Sequence, residues 1–426
     1  MFLTDIYLKN FKSHRESEIK PKRITILIGP NSSGKSSILQ ALLVLKESLN
    51  PKGSSRSAPI TETESFDLGK YQDVVTNHKL DVPLAIGIMA QKLLPHGLED
   101  QSSLLVKLAY NVEFINERVH FLHFGVESQE FKLSFQFRNN NSTVNATHSF
   151  SDVVIPLKDD PHLDGINPRI LAQNTNELIG RNFNEYFSNG EFTKHLLDEF
   201  YYVPYNRTVT SYGVSLQRNT VRQLHSNPVT MMSFIISKLS KDPTMLDSVS
   251  SFINEISGKT IRTRIIDFTS TGDSGVTIDF TNKGISNSII NEGTGLNQLI
   301  LLLATLTEAP KNAIIGIEEP ELHLHPSAQS KLAKILMGIA KSHSKQIIFT
   351  THSEHMLYPF LAEVTKGKQG LLSKDEIAIY YITQDSSGLS TIEHLPINEH
   401  GQIKGGLKGF WESDLEVFKQ FTEKNE

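Results

Sequence analysis

The chain has 426 residues, which is enough for one large domain with insertions or for two to three domains. Its net charge of −5 provides no protein-wide basic field of the kind that attracts nucleic acid. The net charge does not exclude a local basic patch. The absence of cysteine excludes disulfides, thiolate metal sites and a cysteine nucleophile.

Residues 1–28 predict strands, because apolar and polar residues alternate up to Phe11 and residues 24–28 are mostly apolar. Residues 29–36 then fit the pattern G-x-x-x-x-G-K-[ST] without a mismatch. A helix is predicted over residues 37–49, which carry leucines on or near one face. A buried strand, a glycine-bounded loop and a helix in this order predict a phosphate-binding loop, called the phosphate loop below.

The residue types of the phosphate loop suit an anionic ligand. Gly29 and Gly34 let the backbone curl so that its N–H groups point at phosphate oxygens, and Lys35 places a charge between the β- and γ-phosphates. The Ser36 hydroxyl can hold Mg²⁺, and the following helix directs its positive end at the anion. We therefore predict that ATP binds to a run of consecutive residues, namely Gly29, Pro30, Asn31, Ser32, Ser33, Gly34, Lys35, Ser36 and Ser37.

The middle of the chain predicts a sheet and then helices. Alternating apolar stretches at 104–110, 119–124 and 131–137 predict an antiparallel meander. Residues 231–239 and 245–256 predict short helices. Nothing here sustains a heptad repeat, so we expect a compact lid rather than a coiled-coil arm.

Three motifs follow in the last third of the chain. Gly293 and Gly295 precede a strongly apolar helix, whose N-terminus can bind a phosphate. The next apolar run predicts a strand buried on both faces and ends in Glu318 and Glu319, which is where open α/β sheets place ligands. Glu318 is the candidate Mg²⁺ partner of the phosphate-loop serine, and Glu319 is the candidate group that polarises the attacking water. A further strand ends at His352.

The order of these motifs resembles the ATPase heads of the ABC, SMC and RecF-like class, and in particular the overcoming-lysogenization-defect (OLD) nuclease group. The resembling segments are Asn10–Ser13, the phosphate loop, Tyr201–Arg207 (Y-x-x-P-x-R with one extra residue), Asn291–Gln298 (the signature loop), Glu318–Pro326, Thr350–Ser353 and Gly405–Asp414. The chain departs from the class at Asn297, where serine is usual. Asparagine has no hydroxyl to make the contact that the serine would make, whereas the backbone donors are unaffected.

The resemblance implies an α/β fold, namely a P-loop NTPase of the ABC-type ATPase head. It implies a mixed central sheet with an antiparallel β-subdomain and a helical lid insertion. We expect an N-terminal ATPase lobe over residues 1–170, with the phosphate loop and the β-subdomain. A mainly helical insertion would follow over 171–260. The C-terminal lobe over 261–426 would hold the signature loop, the acidic (Walker B) strand and the switch histidine.

The resemblance also implies roles for single residues. The signature loop would contact the nucleotide of a partner subunit through Gly293, Gly295, Asn297 and Gln298. Arg207 would contact nucleotide, with a surface arginine as the alternative. For Lys12, in the Asn10–Ser13 segment, a functional role and a role in folding alone are both left open. Gln72 or Asp73 would touch the metal or the attacking water, with a plain surface loop as the alternative. The predicted catalytic residues are Glu319, His352 and Lys35, and the predicted metal ligands are Ser36, Glu318 and Gln72.

For function, the resemblance implies an ATP-hydrolysing, Mg²⁺-dependent switch that assembles as a homodimer or higher oligomer through its ATP sites. Heads of this kind that stand alone, without a Toprim domain, often belong to anti-phage systems, such as those of the Septu and PARIS type. This implies a separate effector protein, which would be a nuclease or a toxin. Whether DNA is also a partner is left open. A RecF-like repair ATPase and a transporter ATPase subunit are alternatives. We expect a cytoplasmic protein, because no apolar run spans a bilayer and no secretory signal is present.

Overall fold

The computed structural model describes most of the chain, with gaps. The described residues are 2–49, 61–62, 66–95, 103–115, 118–127, 132–138, 143–148, 151–156, 197, 199–209, 213–215, 228–267 and 274–404. Residues 171–196 of the predicted helical insertion and the segment 405–414 lie outside them. The domain boundaries at 170 and 260 stay predictions.

Strands and helices of the described residues are numbered in chain order. The strands are β1 (Phe2–Phe11), β2 (His14–Ile19), β3 (Ile24–Ile28), β4 (Leu84–Pro95), β5 (Ser103–Ile115), β6 (Arg118–Glu127), β7 (Lys132–Arg138), β8 (Thr143–His148), β9 (Ser151–Pro156), β10 (Phe200–Val203), β11 (Val214–Ser215), β12 (Thr260–Asp267), β13 (Ser274–Asn282), β14 (Ile285–Ser288), β15 (Ile314–Glu318), β16 (Gln346–Thr351), β17 (Ile377–Gln384) and β18 (Ser390–His394). The helices are α1 (Lys35–Leu49), α2 (Tyr71–Val74), α3 (Pro228–Lys241), α4 (Pro243–Ser257), α5 (Thr294–Glu308), α6 (Pro326–Ser342) and α7 (Glu354–Val364).

A six-stranded mixed sheet lies at the centre, in the order β10-β15-β16-β3-β17-β18. Its first five strands are parallel, and β18 pairs antiparallel with β17. Every residue of β3, β15 and β16 is buried, as the continuous apolar sequence of a strand covered on both faces predicts. The register pairs Ile28 with Thr351 and Glu318 with Thr350. The carboxyl ends of these three strands therefore meet at one edge of the sheet.

A second six-stranded sheet, β2-β1-β4-β5-β6-β7, is antiparallel throughout. It confirms the predicted meander. Leu3, Ile6 and Leu8 of β1 share a core with α1 residues such as Leu39 and Leu42. The helix that follows the phosphate loop is thus packed between this sheet and the central one.

The other face of the central sheet is covered by helices and a small sheet of β11, β13, β12 and β14. Both helices predicted after residue 230 are present, as α3 and α4. Helix α4 begins where the Asp242 carboxylate accepts a hydrogen bond from the Met245 N–H, and it ends at Gly258, whose φ is +73°. The α/β class, the mixed central sheet and the antiparallel sheet are therefore confirmed. None of the helices in the described ranges has both the length and the apolar character needed to cross a membrane.

Candidate functional site

The phosphate loop is held closely against its neighbours. Gly29 has a φ of +152°, and a Cβ atom there would lie 2.0 Å from the carbonyl oxygen of Ile382 on β17. Gly34 has a φ of +99°, and a Cβ atom there would lie 2.3 Å from the Ser390 hydroxyl oxygen and 2.9 Å from His14 Nε2. Only glycine combines these dihedrals with this close approach. The folded structure of the phosphate loop therefore requires glycine at both positions.

The Lys35 side chain curls back over the loop. Its ammonium donates hydrogen bonds to the carbonyl oxygens of Gly29 (3.0 Å) and Pro30 (2.6 Å) and to the Ser33 hydroxyl (3.4 Å). The side chain is buried, and burial lowers the pKa of Lys35 to about 8. A desolvated cation inside a glycine-bounded loop fits an anionic group such as phosphate.

Glu318 ends β15 as a buried carboxylate surrounded by donors. Gln40 Nε2 lies 3.2 Å and the Tyr205 N–H 3.4 Å from its oxygens, and the hydroxyls of Tyr202 and Ser36 are close enough to favour its charged form. Burial raises the pKa of Glu318 despite these bonds. A carboxylate and a hydroxyl are the oxygen ligands that Mg²⁺ prefers, and phosphates of a nucleotide supply others. The predicted metal ligands Ser36 and Glu318 are thus together and fit this ion.

Glu319 follows in a strained conformation with a φ of +41°. Its N–H donates to the Thr350 carbonyl oxygen at 3.2 Å. Its carboxylate lies 3.4 Å from His352 Nε2, and both side chains are 30% exposed. The hydrogen bond from His352 is the leading cause that lowers the pKa of Glu319. The carboxylate is therefore ionised and reachable by water, as a general base must be.

The signature loop enters α5 through its two glycines. Gly293 is the N-cap residue, and a Cβ atom there would meet no atom within 4 Å. A Cβ atom on Gly295 would lie 2.4 Å from the carbonyl oxygen of His323. Gly293 therefore borders open space, whereas Gly295 packs against the loop that follows Glu319.

The side chains of Asn297 and Gln298 point inward. The Asn297 amide oxygen accepts from the Val209 N–H at 2.6 Å, and its nitrogen donates to the carbonyl oxygens of Val209 (3.0 Å) and Ile289 (3.2 Å). Gln298 Nε2 donates to the Thr208 hydroxyl at 2.9 Å. These amides fasten α5 to neighbouring loops, so the structure does not support a contact of either side chain with nucleotide.

Arg207 is also internal. Its side chain is 1% exposed and donates to the carbonyl oxygens of Pro204, Glu318 and Glu319 at 2.8–2.9 Å. The surface alternative is therefore wrong. The predicted nucleotide contact lacks support as well, because the terminal nitrogens are engaged by main-chain carbonyls behind the two glutamates.

The segment around α2 contains Gln72 and Asp73, the two candidates for a contact with the metal or the attacking water. Gln72 is exposed, and its carbonyl oxygen accepts from His78 Nδ1 at 2.7 Å. The Asp73 carboxylate accepts from the Lys70 N–H at 2.8 Å and so closes the first turn of α2. No described contact joins the Gln72 side chain to Glu318, and its role as a metal ligand stays a prediction.

Gln40 belongs to the site although sequence analysis did not single it out. It bridges Glu318 and the Lys12 ammonium, which lies 2.7 Å from Gln40 Oε1. Gln40 follows Ser36 by four residues, and this spacing places both on one face of α1. That spacing is the signal that could have identified it.

Solved structures with a similar fold include heads of SMC proteins. A crystal structure of the SmcHead bound to the C-winged helix domain of ScpA shares 13% identity and covers 94% of this chain and 99% of its own, with a TM-score of 0.45. The SMC head domain from Thermotoga maritima shares 14% identity over 93% and 100% of the two chains, with a TM-score of 0.41. An Smc head with an extended coiled coil, bound to the C-terminal domain of ScpA from Pyrococcus furiosus, shares 10% identity over 99% of each chain, with a TM-score of 0.44. At these scores the likenesses carry no inference about function.

The family is shown by sequence. No curated protein matches the chain. A family model described as an AAA ATPase domain matches residues 1–357, which is most of the chain and includes the phosphate loop, the acidic strand end and His352. This match, together with the mixed sheet, confirms the predicted P-loop ATPase fold class. The chain therefore belongs to the AAA ATPase domain family.

Proposed function

We propose that the protein binds Mg-ATP and hydrolyses it to ADP and phosphate. The observation that carries this proposal is the meeting of three groups at one edge of the central sheet. These groups are the Lys35 ammonium within its loop, the Ser36–Glu318 pair and the Glu319–His352 pair. Phosphoryl transfer depends mainly on positioning and charge stabilisation, and this arrangement supplies both.

Each group has a separate task in the proposed reaction. The phosphate loop and Lys35 hold the nucleotide phosphates. Ser36 and Glu318 would hold Mg²⁺, which neutralises phosphate charge when bound. Glu319 accepts a proton from the water whose oxygen attacks the γ-phosphorus, while the bond between that phosphorus and the ADP oxygen breaks. His352 donates a hydrogen bond to the γ-phosphate or to Glu319.

We expect that phosphate release from ATP requires Mg²⁺. Removing the ion with EDTA should abolish hydrolysis, and Ser36→Ala should lower the rate by about 100-fold, because one ligand of the ion is lost. The measurement is steady-state phosphate release. The matched control is Ser342→Ala, an exposed serine at the end of α6, which should hydrolyse ATP at the wild-type rate. Full activity in EDTA, or in Ser36→Ala, would contradict the proposal.

The contact between Glu319 and His352 predicts a pH effect. The histidine hydrogen bond lowers the pKa of Glu319, so the carboxylate stays ionised as the pH falls toward its ordinary value. In His352→Gln the hydrogen bond to the Glu319 carboxylate is weakened, so the pKa of Glu319 should rise. We therefore expect the acid limb of the kcat profile to move to higher pH in this variant. A pH–rate series on both proteins measures it, and unchanged acid limbs would refute the assignment.

We also propose a homodimer that closes head-to-tail over two ATP molecules. The open space around Gly293, at the N-terminus of α5, supports a backbone contact with the γ-phosphate of the partner's nucleotide. Because ADP lacks that phosphate, the dimer should form with ATP only.

For the cellular role, we propose an ATP-gated switch in anti-phage defence or DNA transactions that acts through a separate effector subunit. This proposal rests on the sequence resemblance to the ATPase heads of the OLD-nuclease group. The effect of added DNA on ATP hydrolysis tests the DNA arm, including the RecF-like alternative. Recovery of the protein in the membrane fraction would favour the transporter alternative instead.

A further inference from the structure

A buried arginine holds the turn that carries the site's carboxylates, called the acidic turn (residues 318–321). The terminal nitrogens of Arg207 donate to the carbonyl oxygens of Glu318 (2.8 Å) and Glu319 (2.9 Å). Between these two bonds, Glu319 adopts its left-handed conformation, which residues other than glycine rarely adopt. Arg207 therefore fixes the backbone at the point where the turn is strained.

Glu321 connects the same turn to the switch histidine. Its side chain is 7% exposed, and Oε1 accepts from the Thr351 hydroxyl at 2.6 Å and from the His352 N–H at 2.9 Å. Glu319 contacts the ring of His352, as described above. The acidic turn thus contacts both the main chain and the ring of His352, so Glu321 influences where that ring lies relative to Glu319.

Arg207 and Glu321 are opposite charges in one buried region. Among the described residues, each has one buried polar atom without a hydrogen-bond partner, Nε of Arg207 and Oε2 of Glu321. Burial lowers the pKa of Arg207 to about 10, and Glu321 is the foremost of the carboxylates that oppose this shift. Burial raises the pKa of Glu321. A nearby carboxylate favours a buried guanidinium, so Glu321 helps Arg207 to stay charged behind the acidic turn.

We propose that Arg207 and Glu321 are a pair of positioning residues that fix Glu319 and His352 for the attack of water, without contacting the nucleotide. The inference rests on the proposed hydrolysis of ATP. It predicts that removing the Glu321 charge or the planar fork of Arg207 lowers kcat and leaves ATP affinity unchanged, because the phosphate loop contains neither residue.

The test compares Glu321→Gln, which keeps the shape but removes the charge, with Arg207→Lys, which keeps the charge but removes the planar fork. We expect kcat to fall by about 10- to 100-fold in each variant, the scale of a small misplacement of catalytic groups, with the Kd for ATP within about twofold of wild type. The double variant should lie within about threefold of the more damaged single variant, because both residues hold the same acidic turn and their effects are not independent.

The matched control is Glu363→Gln. Glu363 is also a buried glutamate that accepts from a main-chain N–H, that of Leu371, and it lies at the opposite end of α7 from His352. Its kcat should stay within about twofold of wild type. The inference is overturned if Glu321→Gln matches this control, if Arg207→Lys loses ATP affinity, or if the two losses add. Should Arg207→Lys fail to fold, Glu321→Gln alone decides. Failure of the wild-type protein to hydrolyse ATP would overturn the proposed function instead.

Discussion

Replacing Glu319 by glutamine is expected to lower ATP hydrolysis by about 100- to 10,000-fold, the range for removing a general base. The substitution keeps size and shape but removes the group that accepts the proton of water. The backbone of the acidic turn should persist, because Arg207 and Thr350 hold it through main-chain bonds that the substitution does not alter. Binding of ATP should also persist, since Lys35 and the phosphate loop are unchanged.

The same variant should trap the proposed dimer. With hydrolysis blocked, the γ-phosphate stays in place, so the solution mass should double from 47.8 kDa with Mg-ATP and not with Mg-ADP. Glu393→Gln, a charge-matched change of an exposed residue on β18, is the control and should hydrolyse ATP normally. An undiminished rate in Glu319→Gln would remove the base assignment. An unchanged mass with ATP bound would contradict the proposed contact between the signature loop and the partner's nucleotide.

The residues that the sequence predicted well are those whose neighbours in the chain fix their place. Glu318 is an example, because it ends a short apolar strand, and parallel strands present their carboxyl ends at one edge. The phosphate loop is another, since its glycines, lysine and serine lie within eight consecutive residues. Helix α5 begins at Thr294, so Gly293 precedes it as predicted, whereas Gly295 lies in its first turn. In each case local pattern and topology together sufficed.

The residues whose side-chain direction could not be predicted depend on contacts across long sequence separations. Arg207 reaches carbonyl oxygens 111 and 112 residues further along the chain, and Asn297 bonds to Val209, 88 residues away. A motif shows that such a residue is polar but does not show which way it points. Glu321 was missed for the same reason, because its partners Thr351 and His352 lie at the end of β16 and directly after it. Side-chain direction therefore needed the folded structure.

ATP affinity is expected to weaken as the pH rises through about 8, with Lys35 as the cause. Burial lowers the pKa of this lysine to about 8, so in the free protein its ammonium loses its proton above that pH. A bound phosphate favours the charged ammonium and raises its pKa, so binding above pH 8 takes up a proton. The Kd should then rise by up to about tenfold per pH unit above 8 and be nearly constant just below it.

Two further variants separate the effect of Lys35 on ATP affinity from that of other titrating groups. Phosphate monoesters lose their last proton near pH 6, so the charge of the nucleotide is nearly constant over the range that matters. Lys35→Met should bind ATP weakly and with no slope between pH 8 and 9.5. The control is Lys345→Met, because Lys345 also has a pKa lowered to about 8 by burial but donates to the Leu306 carbonyl, away from the site. If Lys345→Met loses the slope and Lys35→Met keeps it, the pH dependence comes from folding stability, and the phosphate loop does not bind ATP through a buried cation.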